Sequence, residues 1–223
     1  MSPSAVLFDI DGTLVDSNFL HIEAWARAFT DVGLTVPAWR IQRAIGADSS
    51  ELLSQLAGDA SDETHDRVKE LHTKYYKELA PRLSMLAGAK GLVAAVAGRG
   101  VRVVLATSAP PEELEEINKV LDLDDNTYAI TSGDDVETAK PEPDIIEIAL
   151  ERAGVTADDA IMVGDAVWDV RAATNAGVRT IGLLSGGSGE KELSSAGAIA
   201  VYDDAADLLA NIESSPIASL DPS

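Results

Sequence analysis

The chain of 223 residues contains no cysteine. A disulfide framework, a thiolate metal site and a cysteine nucleophile are thereby excluded, and the absence fits a reducing compartment. Basic residues are scarce: 17 Lys and Arg stand against 38 Asp and Glu, a net charge of −21 at pH 7. Such a surface repels nucleic-acid phosphates and anionic membranes, so neither is an expected partner. It also favours solubility. An anionic ligand would have to find its positive potential locally, from metal, lysine or backbone N–H groups. Long apolar runs are missing too. No stretch approaches about 18 continuous apolar residues, so nothing is expected to span a membrane. Met1-Ser2-Pro3-Ser4 has no basic character and Ala5–Phe8 is too short for the apolar part of a signal peptide. The expectation is a cytoplasmic protein.

What is present is an apolar content of 46%, enough for one core domain with an insertion. Apolar runs bounded by turn residues predict strands over Ala5–Ile10, Val101–Ala106, Tyr128–Thr131, Ala160–Val163, Val178–Leu183 and Ala198–Tyr202. Helical patterns lie between them at Ala89–Ala97, Glu112–Leu121, Asp144–Ala153, Asp169–Ala176 and Ala205–Ile212. Strands alternating with helices predict an α/β fold, a Rossmann-like parallel sheet with helices on both faces. The interval from Ser17 to about Pro81 has helical spacing only, as in Phe19, Ile22, Ala26 and Phe29, or Val68, Leu71 and Tyr75. It predicts an inserted all-helical cap hinged at Val15–Ser17 and Met85–Gly88. The expected division is a core of residues 1–16 and 86–213, a cap of 17–85 and a flexible tail of 214–223.

Four segments carry chemistry. In Phe8-Asp9-Ile10-Asp11-Gly12-Thr13 two carboxylates sit two residues apart where a buried strand meets a turn. At i and i+2 of a strand they would share one face. Two like charges cannot share a small volume without a cation or a proton, and a hard, oxygen-seeking ion such as Mg²⁺ would relieve them. Asp-Gly is also an ordinary turn dipeptide. Thr107-Ser108 ends the second strand, where hydroxyls and backbone N–H groups can meet a phosphate or merely cap a helix. Lys140 is framed by Pro141 and Pro143 and can neutralise a carboxylate or hold a phosphoryl group. Asp165 and Asp169, four apart after the fourth strand, can face one point or simply stabilise a helix start. All four segments fall at or near the carboxyl ends of parallel strands, where open α/β sheets bind ligands.

These residues resemble the four motifs of the haloacid dehalogenase superfamily of phosphohydrolases, in the subgroup with a helical cap, over Ala5 to about Leu183. The resemblance implies Asp9 as a nucleophile forming an aspartyl-phosphate, and Asp11 as general acid and then base. Proton transfer to the leaving oxygen calls for surroundings that raise the proton affinity of Asp11. It implies Mg²⁺ held by Asp9, Asp11 through its backbone carbonyl, and Asp165, with Asp169 supporting the metal or Lys140. Lys140 and Thr107 would hold phosphoryl oxygens. Dehalogenase members resemble this chain in the first aspartate but lack the second, so Asp11 argues for phosphoester chemistry. Cap residues Lys69, Lys74 and Lys77 read as a solvated face. Expected substrate contacts are Gly12, Ser108, His21, which could assist Asp11, and Arg43. Arg43 lies near Ser49, which stands where phosphosugar mutases of the superfamily usually offer an arginine. The resemblance implies a phosphatase of a small phosphorylated metabolite, phosphoglycolate-like or a sugar phosphate, as a monomer or small homo-oligomer. The alternatives are a β-phosphoglucomutase-type mutase and a catalytically idle binding protein of the same fold.

Overall fold

The computed structural model describes residues 3–123, 126–132, 140 and 142–220. Pro141, one of the two prolines that frame Lys140 in the sequence argument, lies outside the described residues. Six strands, β1 (Ala5–Phe8), β2 (Arg102–Ala106), β3 (Ala129–Thr131), β4 (Ala160–Gly164), β5 (Arg179–Leu183) and β6 (Ala200–Tyr202), form one parallel sheet in the order β3-β2-β1-β4-β5-β6. Phe8 at the end of β1 pairs with Leu105 of β2 and Val163 of β4. The strand order reverses at β1, so a crevice opens beyond the carboxyl ends of β1, β2 and β4.

The sheet is buried on both faces, which explains its nearly continuous apolar strands. Val6, Phe8, Leu105 and Val163 point to one side; Ala5, Leu7, Val104 and Met162 point to the other. Between β1 and β2 run α1 (Asn18–Asp31), α2 (Ala38–Ala44), α3 (Ser49–Ala57) and α4 (Asp62–Leu79), followed by α5 (Ala89–Gly98). The first four form the helical layer above the sheet's carboxyl edge. The two chain crossings between this layer and the sheet run side by side. Val15 bridges Met85, Asp16 N–H donates to Ser84 O at 2.9 Å and Leu86 N–H to Leu14 O at 2.9 Å. The remaining helices are α6 (Pro111–Asn118), α7 (Asp144–Ala153), α8 (Val167–Asn175), α9 (Glu190–Ala196) and α10 (Ala205–Ala210). Among the described residues no helix is long and apolar enough to cross a membrane.

Three sequence expectations are corrected. First, β1 ends at Phe8 rather than Ile10, because the Ile10 carbonyl gathers the N–H groups of Thr13, Leu14 and Val15 at 3.2, 2.8 and 2.9 Å and bends the chain out of the ladder. Asp11 therefore lies in a turn, not one strand pleat beyond Asp9. Second, Phe19 leaves the expected stripe of α1, whose Phe29 is buried and whose Ile22 and Ala26 pack on the core. Phe19 is 60% exposed while Asn18, His21 and Trp25 are buried, because the polar residues find partners below them. Third, the segment from 214 to 220 is packed rather than frayed. Short 3₁₀ turns cover Ile212–Ser214 and Pro216–Ser219, Ile217 N–H donates to Ser215 Oγ at 3.2 Å, and the Ile217 side chain is fully buried.

Candidate active site

Asp9 is the first residue beyond β1. Its N–H donates to Val163 O at 2.9 Å, which carries its side chain into the crevice. The Lys140 ammonium donates to Asp9 Oδ1 at 2.6 Å, to Asp169 Oδ1 at 2.6 Å and to Ala106 O at 3.4 Å. All three of its N–H groups are thus used, and the side chain is buried. Asp169 Oδ2 accepts the Ala166 N–H at 3.0 Å, so α8 begins by fixing the residue that fixes Lys140. Asp165, in the turn between β4 and α8, accepts from Thr13 Oγ1 at 3.0 Å and from Asn18 Nδ2 at 2.9 Å. Gly186 lies against it: a Cβ there would run into the Asp165 carboxylate.

One oxygen each of Asp9, Asp165 and Asp169 lies within 4.8 Å of the others. Three buried carboxylates face one ammonium, so ionising all three would leave two negative charges over. Burial and the neighbouring Asp169 push Asp9 up to about 8 despite Lys140. Burial, with Asp169 and Asp9, pushes Asp165 well above the usual carboxylate range. Burial alone would lower Lys140, but Asp169 and Asp9 outweigh it and hold the ammonium charged. Two surplus charges on hard oxygen donors match a divalent cation of the Mg²⁺ type. So does the Asn18 Oδ1 atom, buried at the cavity wall with no protein partner among the described residues and able to accept from a metal-bound water.

Asp11 stands apart from that cluster. Ser17 Oγ donates to its Oδ1 at 2.5 Å, and His21 Nε2 lies 3.4 Å from the same atom. Burial favours the neutral acid, but the bonds from His21 and Ser17 outweigh it and lower the pKa. The expectation of a raised proton affinity is therefore reversed. The surroundings favour a proton on the neighbour instead. His21 is lowered by burial and raised further by Asp11 and Glu113, a net rise. Its Nδ1 lies 3.2 Å from His72 Nε2, and His72 Nδ1 lies 3.3 Å from Glu113 Oε1. His72 is pushed well below its ordinary value by burial and by His21, and burial lifts Glu113 to about 7. Stacking holds the rings: His21 on Tyr76 at 4.2 Å and His72 on Trp25 at 3.9 Å between centroids. The line Asp11–His21–His72–Glu113 can pass one proton by a hop at each link without changing its net charge.

These groups border a cavity of 1130 Å³ between the sheet and the helical layer. Asp9, Asp11, Lys140, Asp165, His21 and Ser108 all line it. The Ser108 hydroxyl is buried and has no protein partner among the described residues. Thr107 is buried behind the wall, its Oγ1 accepting the Ala109 N–H at 3.0 Å. Two expected substrate contacts are not there. Gly12, at φ 73°, packs against Asn18 and Asp165, and its carbonyl accepts from Ser185 Oγ at 2.6 Å. Arg43 turns outward to Glu192 at 2.8 Å, because an exposed carboxylate lies within its reach and the cavity lies behind its helix.

The sequence argument overlooked Thr13, Ser17, Asn18, His72, Glu113 and Gly186. The available signal was polarity on apolar faces. His72 follows Val68 by four and Leu71 by one, inside the buried stripe of α4, and Asn18 and His21 are three apart at the start of α1. The partners themselves come from distant segments, which spacing cannot reveal.

The comparisons agree with this geometry. A family model described as haloacid dehalogenase-like hydrolase matches residues 6–183. A phosphoglycolate phosphatase of Rhodospirillum rubrum is 32% identical over 216 residues, 92% of this chain and 89% of that protein. A phosphorylated carbohydrates phosphatase of Thermotoga maritima is 30% identical over 200 residues, 88% of this chain and 93% of that protein. The crystal structure of a hydrolase from Pseudomonas syringae superposes with a TM-score of 0.90 at 34% identity, covering 95% of this chain and 98% of that one. Its sheet order, its carboxylate cluster and a match running from β1 through β5 all lead to one assignment: the chain belongs to the haloacid dehalogenase-like hydrolase family.

Proposed function

We propose that the protein hydrolyses phosphate monoesters of small metabolites, with Mg²⁺, through a phosphorylated Asp9. The observation that carries this reading is the contrast between two neighbouring aspartates. Asp9 lies with Lys140, Asp165 and Asp169, while Asp11 is held separately by Ser17 and His21. An Asp9 carboxylate oxygen attacks phosphorus, the phosphorus–alkoxide bond breaks, and a proton reaches the leaving oxygen by way of Asp11, replenished from His21. Asp11 then accepts a proton from the attacking water as the phosphoaspartate is split to inorganic phosphate and the free carboxylate. Asp9, Asp165 and the Asp11 carbonyl would hold the metal, and Asp169 positions Lys140. Bound Mg²⁺ supplies charge neutralisation to the phosphoryl group and to the carboxylates around it. Ser108 donates to a phosphoryl oxygen, Lys140 adds its positive charge beside Asp9 while its N–H groups stay on Asp9, Asp169 and Ala106, and the paired crossings at Val15 and Met85 let the helical layer open for exchange. Relatives named as phosphatases, at about a third identity over most of their length, support the same reading.

The test is phosphate release from p-nitrophenyl phosphate. Turnover should require Mg²⁺, stop on chelation, and fall at least a thousandfold in Asp9→Asn. An Asp9→Asn variant with undiminished turnover refutes the covalent route. Isomerisation of β-glucose 1-phosphate without net release of phosphate would replace hydrolysis by the mutase reaction.

A further inference from the structure

Glu113 is a buried carboxyl group with no lysine or arginine beside it. It lies in the first turn of α6, and among the described residues its one ion-pair partner is His72, at 3.3 Å. Burying such a group beside a single histidine costs stability that an apolar side chain of similar size would not. His72 breaks the pattern of its own helix in the same way, a polar ring among Val68, Leu71 and Tyr75 on the buried face of α4. Polar groups that weaken a core are expected where function needs them. Neither residue reaches the phosphoryl end of the cavity, yet both line its wall.

Their connection to the reacting groups runs through His21. His72 Nε2 lies 3.2 Å from His21 Nδ1, and His21 Nε2 lies 3.4 Å from Asp11 Oδ1. The stacked rings of Tyr76 and Trp25 keep both imidazoles from turning. A neutral imidazole carries one proton, and the partner of one nitrogen decides the state of the other. A protonated Glu113 can donate to His72 Nδ1. The His72 proton then sits on Nε2 and donates to His21 Nδ1, which leaves the His21 proton on Nε2, facing Asp11. Without a donor at position 113 the line can run the other way. His72 and His21 then each carry the proton on Nδ1, and Asp11 meets the bare lone pair of His21 Nε2. The contact that sets this direction joins α4 of the helical layer to α6, which follows β2 of the sheet.

From this geometry, and resting on the phosphatase reading above, we infer that Glu113 and His72 are positioning residues of the proton transfer: they orient the line so that His21 presents an N–H to Asp11. Neither touches the substrate. Their effect falls on one event, the breaking of the bond between phosphorus and the alcohol oxygen. An alkoxide must take a proton from Asp11 as it leaves, whereas p-nitrophenolate is stable enough to leave without one.

Glycerol 2-phosphate and p-nitrophenyl phosphate, each with Mg²⁺, separate this role from a structural one. The ratio of their kcat/KM values reports events up to departure of the alcohol, so the later splitting of phosphoaspartate, common to both esters, does not enter. In His72→Phe, which keeps an aromatic ring against Trp25, and in Glu113→Leu, the ratio of glycerol 2-phosphate to p-nitrophenyl phosphate should fall at least tenfold. In Glu113→Gln, whose amide can still donate to His72, it should fall less than threefold. A structural role would lower both esters alike. An unchanged ratio in Glu113→Leu or in His72→Phe, each shown to be folded by circular dichroism, overturns the inference. So does a Glu113→Gln ratio that falls as far as that of Glu113→Leu. Should His72→Phe fail to fold, the two Glu113 variants decide alone. Absence of turnover of both esters by the parent overturns the phosphatase reading itself.

Discussion

Replacing Glu113 by Gln should make the protein more stable at pH 8, although it removes a buried carboxylate from a hydrogen-bonded line. Glu113 is 6% exposed, and its Oε1 lies 3.3 Å from His72 Nδ1. Burial lifts it from 4.5 to about 7; Asp11 and Glu112 add to the rise, while His21 and Lys77 oppose it. Between those two pH values the folded chain keeps a proton that the unfolded chain has lost. Stability therefore falls as pH rises through this window, by about 1.4 kcal/mol per pH unit, or roughly 3 kcal/mol in all. The amide of Gln offers both a donor and an acceptor to His72 Nδ1, as the neutral acid does, and cannot ionise. Urea unfolding of both proteins at pH 5, 6, 7 and 8 reads this group together with its coupling to His21 and Asp11, since the titrations away from them are common to both. The variant should match the parent near pH 4.5 and exceed it by about 3 kcal/mol at pH 8. A difference independent of pH, or a variant weaker at pH 8, would mean that Glu113 is ionised against a charged His72, and the argument from burial would fail.

Lys140→Met should abolish phosphate release and cost roughly 3–5 kcal/mol in urea unfolding, because it strands Asp9 and Asp169 without their shared cation; a fully stable variant would show that the pair is not charged. Asn18→Ala removes the donor that orients Asp165 and should raise the Mg²⁺ concentration for half-maximal activity by about 10–100-fold, read from a metal titration at saturating substrate. Ile217→Ala should lower stability by about 2–4 kcal/mol, as for any well-packed core isoleucine, and truncation before residue 214 should cost more; an unchanged melting temperature would return the tail to the frayed state.

The convergence of Asp9, Lys140, Asp165 and Asp169 was legible in the sequence because each follows, or lies near, the end of an apolar strand, and parallel topology brings such ends together. The separation of Asp11 from the Asp9 cluster was not, since the spacing put both carboxylates on one strand face. It depends on β1 ending at Phe8 and on one carbonyl, Ile10, collecting three N–H groups. The proton line escaped for a different reason. His21 and His72 are 51 residues apart, and only the packing of α1 on α4 brings them together. Composition misled at Phe19, where an apolar residue sits outside so that Asn18 and His21 can sit inside. It misled again at Arg43, whose partner Glu192 is 149 residues away.

Were the upper helices to swing on the sheet, the side-by-side crossings at Val15 and Met85 would give them one axle. Asp11 and His21 belong to segments immediately flanking that axle, whereas His72 and Glu113 meet on helices away from it. A swing that admits substrate would then part His72 from Glu113 first and leave Asp11 beside His21. Asp11 would keep its immediate neighbour through every such opening, while the far end of the histidine line parted and met again on closing.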